Sequence, residues 1–317
     1  MLKLQTRLCA TVLTAVIALS SAAHAAETVR IANLAPGSLN WLHIIAQKEE
    51  LYKKHDLDVQ ELKAQTSSAL LQAVSSGSVE AGISLGDLVI RAVDQGAPIV
   101  ISGAILKNNV LRFVGAKNVT KPSELAGMNL TAGAVSGGTA NMLRYMLKQN
   151  GTDPKSARLL AIANSRDRIL ALKNKQVSGA LLIPPFDAMA LRDGMTVLAD
   201  YTDPYVQTPL ILNSNWAKAK PEAARSLTHA FKDAAAWINE PSNRDQAIDY
   251  LADYTKSDRD DAAAAYEFIV VKQKAIAPDL SMPDAALQNI ENIDAALSGG
   301  TVRQLDISKY YDASYLK

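Results

Sequence analysis

The sequence has a single cysteine, Cys9, in a chain of 317 residues. Cys9 lies early in an apolar N-terminal segment that we expect to be removed on export, which places it badly for a lipid anchor. The mature chain would then have no thiol. This excludes disulfide bonds, thiolate catalysis and metal sites built on cysteine.

The N-terminal segment is typical of a secretory signal. Lys3 and Arg7 precede an apolar run over residues 8–19, and Ala25 ends a stretch of small residues that suits signal peptidase. The run is too short to cross ~30 Å of hydrocarbon, and no later stretch of the sequence qualifies. We therefore predict a signal over residues 1–25 and a mature protein in the periplasm of a Gram-negative bacterium.

The chain also has no large net charge, since it contains 33 basic and 32 acidic residues. Loss of Lys3 and Arg7 with the signal lowers the basic count by two, to 31. No basic stripe is left that would hold a nucleic acid backbone, so we expect no nucleic acid partner.

Motifs of catalysis are absent from the sequence as well. It contains no HExxH metal motif, no GxSxG elbow and no Walker loop. The mature chain has three histidines, His43, His55 and His229, and we interpret each as a surface or structural residue. We therefore predict no catalytic residue, no metal ligand and no cofactor.

From residue 29 onward, short apolar or β-branched runs alternate with helical patterns, which is typical of an α/β fold with mostly parallel sheets. One series ends near residue 110, and a second series repeats its order. At an offset of 98 residues Val79 corresponds to Val177 and Ile83 to Leu181. The pattern predicts two lobes built on one βαβαβ plan.

The remainder of the chain is predicted to be helical, beginning with a helix from Pro221 to Asn239 whose apolar stripe includes Leu227 and Phe231. We expect this α-rich tail to pack back onto the first lobe. That lobe is then discontinuous, and two connecting strands form a hinge between the lobes.

The two hinge strands are predicted near residues 110–116 and 205–211. Lobe 1 then consists of residues 26–110 and 207–317, and lobe 2 of residues 111–206.

In open α/β sheets, ligands bind beyond the carboxyl ends of the strands, where loops lead into helices. Both lobes have small polar residues there, and the N–H and hydroxyl groups at a helix start can donate to an anion. Ordinary N-capping is the alternative explanation for each serine and threonine. The candidate ligand-binding residues of this kind are Thr66, Ser67, Ser68, Ser136, Gly137, Gly138 and Thr139.

Other candidates come from the same predicted rim. Trp41 either stacks on a ligand or anchors the core, and Asp87 either accepts from a ligand or caps a helix. Phe186 is a candidate wall of the pocket. The further candidates at strand ends and in adjoining loops are Asn33, Ala35, Gly86, Lys107, Asn164 and Asp187, of which Lys107 has a surface lysine as its alternative.

Four segments carry a more specific pattern: residues 31–41, 70–82, 125–128 and 221–241. Their order and spacing resemble the nitrate/sulfonate/taurine family of periplasmic binding proteins, which also includes binding proteins for thiamine-precursor pyrimidines. The resemblance implies a type II periplasmic-binding fold with its ligand in the cleft between the lobes. It also implies delivery of that ligand to an ABC permease in the inner membrane.

We therefore expect a monomeric substrate-binding component of an ABC importer whose ligand is a small organic acid, either a sulfonate or a carboxylate, aromatic acids included. The first-lobe loops lack a conspicuous arginine, which argues against a strongly held divalent anion. One alternative is a neutral nitrogen heterocycle such as a pyrimidine, with Asp87 and Asp187 accepting from ring N–H groups. A periplasmic enzyme of related fold and a partner of a membrane sensor are further alternatives.

Overall fold

The computed structural model describes residues 26–317. The predicted signal peptide and Cys9 lie outside the described residues. The strands are β1 Glu27–Asn33, β2 Leu57–Lys63, β3 Ala81–Ile83, β4 Ile99–Asn108, β5 Arg112–Gly115, β6 Asn129–Thr131, β7 Arg158–Leu160, β8 Gly179–Leu182, β9 Thr196–Asp200 and β10 Pro204–Asn213.

The helices of the first two thirds of the chain are α1 Trp41–Lys48, α2 Leu51–Lys54, α3 Ser67–Ser75, α4 Gly86–Asp94, α5 Gly138–Gln149, α6 Ser165–Lys173 and α7 Phe186–Arg192. Those of the last third are α8 Ser214–Ala219, α9 Pro221–Asn239, α10 Arg244–Thr255, α11 Arg259–Tyr266 and α12 Asp284–Ser298. No helix among residues 26–317 is long and apolar enough to cross a membrane.

The strands form two five-stranded sheets with the orders β2-β1-β3-β10-β4 and β7-β6-β8-β5-β9. In each sheet three parallel strands are joined to two strands in antiparallel pairing. The predicted repeat is confirmed by the register, because Ile31 pairs with Ala81 in the first sheet and Leu130 pairs with Gly179 in the second. Ile31 and Leu130 are 99 residues apart along the chain, and Ala81 and Gly179 are 98 residues apart.

The chain passes between the sheets twice, from β4 to β5 and from β9 back to β10. The two short crossovers, after Asn108 and after Asp200, form the two-segment hinge of a mixed α/β fold. The strand β9 was not expected from the sequence. All five of its residues are half-buried, so the strand has no alternation of buried and exposed side chains. β10 joins the first sheet from Pro204 onward, and the lobe limits given above stay a prediction.

The α-rich tail packs on the first sheet. Pro221 opens α9, and the stripe of Leu227, Phe231 and Ile238 is fully buried in an apolar cluster with residues of α1, β1 and β10. The helix α12 packs against β10, α4 and α5, so it contacts elements on both sides of the hinge.

Candidate functional site

The loops that follow the parallel strands of the two sheets meet across the space between the lobes. The N–H of Ser38, after β1, donates to the carbonyl of Pro184, after β8, at 3.1 Å. On the other side of this interface Asp87, in the first turn of α4, packs against Gly138, the first residue of α5.

Asp87 fills the space beside Gly138. A Cβ atom added to Gly138 would overlap the Asp87 carboxylate, which is buried and paired with Arg91 one turn along α4. Burial raises the pKa of Asp87 to about 6, while Arg91 acts in the opposite direction. A ligand that approached Gly138 would have to displace this carboxylate, so ligand binding at Gly138 stays a prediction.

Gly86 and Trp41 are corrected by the structure. A Cβ atom on Gly86 would overlap the carbonyl of Val206, so this glycine serves the close approach of a hinge strand. Trp41 has no exposed surface, and its indole N–H donates to the carbonyl of Ala247 at 2.9 Å. Its stacking on a ligand is wrong, because the ring is a core anchor.

The first-lobe polar turn lies at the rim. Thr66 caps α3, with its hydroxyl accepting from the Ala69 N–H at 3.1 Å, and Ser67 and Ser68 beside it retain solvent exposure. Lys107 lies on β4, and its N–H donates to the carbonyl of Ala275 in the tail. No hydrogen bond joins these residues to the second-lobe turns in the described part of the chain.

The second-lobe polar turn is likewise largely occupied with local structure. The Thr139 hydroxyl donates to the carbonyl of Ala132, and Gly137 has extended backbone before α5. Ser136 is exposed.

A cavity of about 510 Å³ lies between the loop after β1, the starts of α6 and α7, and the end of α10. It brings together three residues predicted from the sequence, Ala35, Asn164 and Phe186. The complete lining is Ala35, Pro36, Asn164, Arg166, Asp167, Phe186, Tyr254, Thr255 and Lys256.

Arg166 is the central cation of this lining. Its guanidinium lies 5.5 Å from the centre of the Phe186 ring and donates to the carbonyl of Thr255 at 2.7 Å. The side chain of Lys256 adds a second positive charge, against the single carboxylate of Asp167. The sequence did not single out Arg166, because one arginine in the first turn of a helix carries no local signal.

Tyr254 is the second aromatic residue that lines the cavity, after Phe186. Its hydroxyl accepts from the Asn40 amide at 3.1 Å, and the Lys63 ammonium lies 5.8 Å from its ring centre. Burial raises the pKa of Tyr254 to about 12, so its hydroxyl is neutral at physiological pH.

Asn164 and Asn33 are held by hydrogen bonds. The Asn164 side chain caps α6 by accepting from the Asp167 N–H at 2.9 Å. Asn33, at the end of β1, donates its amide to Glu61, while its carbonyl oxygen is buried with no partner among residues 26–317.

Asp187 is buried directly after Phe186. One of its oxygens lies 3.3 Å from Arg112, which also reaches Asp200 at 3.2 Å, and the other has no hydrogen-bond partner within the described chain. Burial raises the pKa of Asp187, and Arg112 opposes that rise.

A buried arginine, Arg168, lies behind the second-lobe rim. It donates to the carbonyls of Ile162, Ala163 and Leu181, at distances of 2.9, 2.7 and 2.7 Å. No carboxylate of residues 26–317 lies within 4.0 Å of it. Burial lowers the pKa of Arg168 to about 10, so it stays positive at neutral pH and adds uncompensated charge below this rim.

The histidines lie elsewhere. His43 is fully buried, bonds Tyr52 at 2.7 Å, and has its pKa lowered to about 4 by burial. His55 binds Asp233 and packs against His229. Within the residues that the structure describes, no group of three or more metal-ligating side chains is placed to hold a metal ion.

Known structures share this fold at low sequence identity. The aliphatic sulphonate-binding protein SsuA of Escherichia coli is 19% identical with a TM-score of 0.68, over 89% of this chain and 91% of that one. The nitrate-binding protein NrtA of Synechocystis PCC 6803 is 15% identical with a TM-score of 0.74, over 91% and 86%. A Candida albicans protein described as exhibiting the generic periplasmic binding protein fold is 17% identical with a TM-score of 0.69, over 90% and 96%.

These neighbours confirm the periplasmic-binding fold that the resemblance implied for this chain. SsuA and NrtA are binding proteins by name. No curated protein matches the sequence. The family described as NMT1/THI5-like matches residues 42–243, which is more than half of the chain. The chain belongs to the NMT1/THI5-like family.

Proposed function

We propose that this protein is the periplasmic substrate-binding component of an ABC importer and that it holds a small organic acid, a sulfonate or a carboxylate, in the cavity beside Phe186. The observation that carries the proposal is the lining of that cavity. Aromatic side chains and positive charges from both lobes meet there, at the place where the fold class binds its ligands.

The charge of the cavity favours an anion. Arg166 and Lys256 line it, the Lys63 ammonium lies 5.8 Å from the ring centre of Tyr254, and Asp167 is its one lining carboxylate. A guanidinium binds a carboxylate or sulfonate through paired N–H groups, and such charge-assisted bonds are about twice as strong as neutral ones.

The size and the walls favour an organic acid over a small inorganic one. A volume of about 510 Å³ lies within the range of about 300–1,000 Å³ typical of small-molecule sites. Phe186 and Tyr254 offer apolar faces for a ring or a short chain, so acids with an aromatic group are the first candidates.

A neutral nitrogen heterocycle is the second candidate. It is favoured by the buried Asp187 oxygen and the buried Asn33 oxygen, which have no partner in the described chain and would accept from ring N–H groups. Asp187 directly follows Phe186, which lines the cavity, and Asn33 lies two residues before Ala35, which also lines it.

Equilibrium binding tests the two candidates. Titration calorimetry with benzenesulfonate, benzoate, methanesulfonate and 4-aminopyrimidine is expected to give stoichiometric binding of at least one aromatic acid without turnover. Arg166→Met is expected to weaken that binding by about 10- to 100-fold. The matched control is Arg225→Met, on α9 and paired with Glu222 of the same helix.

Binding of 4-aminopyrimidine with no binding of any acid would contradict the acid proposal and support the second candidate. Turnover of a bound acid would contradict the importer role and support an enzyme. Import itself is tested by uptake of the bound acid in cells that carry or lack this protein, and a role in import requires that its loss reduces uptake.

A further inference from the structure

We propose that the turn between α10 and α11 is a clasp that closes the cavity, and that Arg192 is the positioning residue that holds it shut. For this purpose the clasp comprises residues 255–258, together with Asp261 in the first turn of α11. The ligand part of this inference rests on the proposed function, but the closing of the clasp does not.

Two arginines of lobe 2, Arg166 and Arg192, contact this turn of the tail through hydrogen bonds and ion pairs. Arg166, from α6, donates to the carbonyls of Thr255 and Lys256 at 2.7 and 3.3 Å. These carbonyls lie at the end of α10, where the helix dipole is negative, so the guanidinium is favourably placed there. Lys256 adopts the left-handed conformation, with φ 52°, which turns the chain at this point.

Arg192, the last residue of α7, contacts the other side of the clasp. Its guanidinium lies 2.7 Å from the carboxylate of Asp258 and 3.0 Å from that of Asp261. The elements that carry these groups, α7 and α11, pack directly on each other. The ion pairs therefore join the second-lobe helices to the tail that packs on the first lobe.

The two carboxylates are not equivalent. The Asp258 side chain is 72% exposed, so water screens its pair with Arg192, whereas the Asp261 side chain is 5% exposed. In the described chain Asp261 has no other cation within 4.0 Å. Removal of Arg192 would leave a buried carboxylate unpaired in the closed form, and opening would return that carboxylate to water.

The clasp also forms part of the ligand site. Thr255 and Lys256 line the cavity, and Arg166 both lines it and holds the clasp. An acid bound to the cavity therefore interacts with the clasp only when the lobes are closed. A ligand shifts this equilibrium toward closure because it binds the closed form better.

The experiment measures closure without any ligand. The mature chain lacks cysteine, so Ala264→Cys on α11 and Gln176→Cys after α6 give two exposed positions for spin labels. Pulsed electron resonance then reports the distribution of distances between the lobes. Arg192→Gln is expected to lower the ratio of the closed to the open population by about tenfold, while Arg192→Lys keeps most of it.

Second variants separate the clasp from a general loss of structure. Arg192→Gln combined with Asp261→Asn is expected to recover most of the closed population, because the buried charge is removed with its partner. Arg225→Gln, whose ion pair lies within one helix, is expected to leave the distances unchanged. Titration of the same variants with benzenesulfonate is expected to show weaker binding for Arg192→Gln alone.

An unchanged distance distribution in Arg192→Gln would overturn the clasp, as would a double variant that is as open as the single one. If benzenesulfonate and the other acids fail to bind while Arg192→Gln still opens the lobes, the ligand proposal falls and the clasp stands.

Discussion

The two equivalent βαβ units place the same kind of residue in two different surroundings. α4 follows β3 and begins with Gly86 and Asp87, whereas α7 follows β8 and begins with Phe186 and Asp187. Both aspartates are buried. Asp87 pairs with Arg91 of the same helix, and Asp187 pairs with Arg112 of β5. The residue before the aspartate is a glycine, Gly86, in the first unit and a phenylalanine, Phe186, in the second.

That single difference separates what we call the filled end from the cavity end. At the filled end, Gly86 admits the backbone of Val206 and Asp87 occupies the start of α5 beside Gly138. At the cavity end, Phe186 forms a wall and open volume remains. The Asp87 carboxylate therefore covers the start of α5, whereas open volume remains beside Phe186 at the start of α7.

The largest effect is expected from bulk at the filled end. Gly138→Trp would force Asp87 away and separate the lobes, so we expect a folded protein whose binding of an aromatic acid is weakened at least about 100-fold. Titration calorimetry and circular dichroism check binding and folding. The control is Gly137→Ala, where an added Cβ atom would have its nearest neighbour at 3.5 Å and binding should persist.

The second effect concerns the rigidity of the lobe that carries the cavity end. Arg168→Met leaves the carbonyls of Ile162, Ala163 and Leu181 without this donor, so we expect the free energy of unfolding to fall by about 3 kcal/mol. Urea denaturation measures this change. Arg158→Met, at an exposed position on β7, is the control, and equal losses in both variants would contradict the role of Arg168.

The third effect is a pH dependence that belongs to the filled end. Because burial raises the pKa of Asp87 to about 6 in the folded state, its protonation stabilises the folded chain below its ordinary pKa near 4. This stabilisation is lost as the pH rises through 6. We expect the wild type to lose roughly 2 kcal/mol more than Asp87→Asn between pH 4 and pH 7 in urea denaturation.

Asp294, Arg91 and Tyr205 face Asp87 from α12, α4 and β10, and they are unchanged in that comparison. Identical pH profiles for the two proteins would mean that Asp87 is solvated and that the filled end is open.

The smallest effect is expected at the wall of the cavity end. Phe186→Ala removes one ring face and the support of Arg166, so we expect an aromatic acid to bind about tenfold more weakly. Phe186→Leu should bind with intermediate strength, and methanesulfonate should distinguish the variants less than benzenesulfonate does. An undiminished affinity for benzenesulfonate would contradict the ring's role.

Much of this fold could be predicted from periodicity alone. The alternation of apolar runs and helical patterns predicted the two βα units, and the offset of about 98 residues is confirmed by the pairing of Ile31 with Ala81 and of Leu130 with Gly179. These features depend on local patterning, which a sequence records directly.

The site was predicted less well, because its residues depend on contacts distant in sequence. Ala35, Asn164 and Phe186 were found from their positions after strands. Arg166, Tyr254 and Lys256 were missed, since only the docking of the tail beside α6 brings them together. Gly138 showed the converse problem, because the carboxylate that fills its space lies 51 positions earlier in the chain, at residue 87.

The most direct test of the central claim is a crystal structure of the mature protein with benzenesulfonate. We expect the sulfonate within hydrogen-bond distance of Arg166 and the ring between Phe186 and Tyr254, with Asp87 still against Gly138. A sulfonate bound at the start of α5, with Asp87 displaced, would contradict this claim.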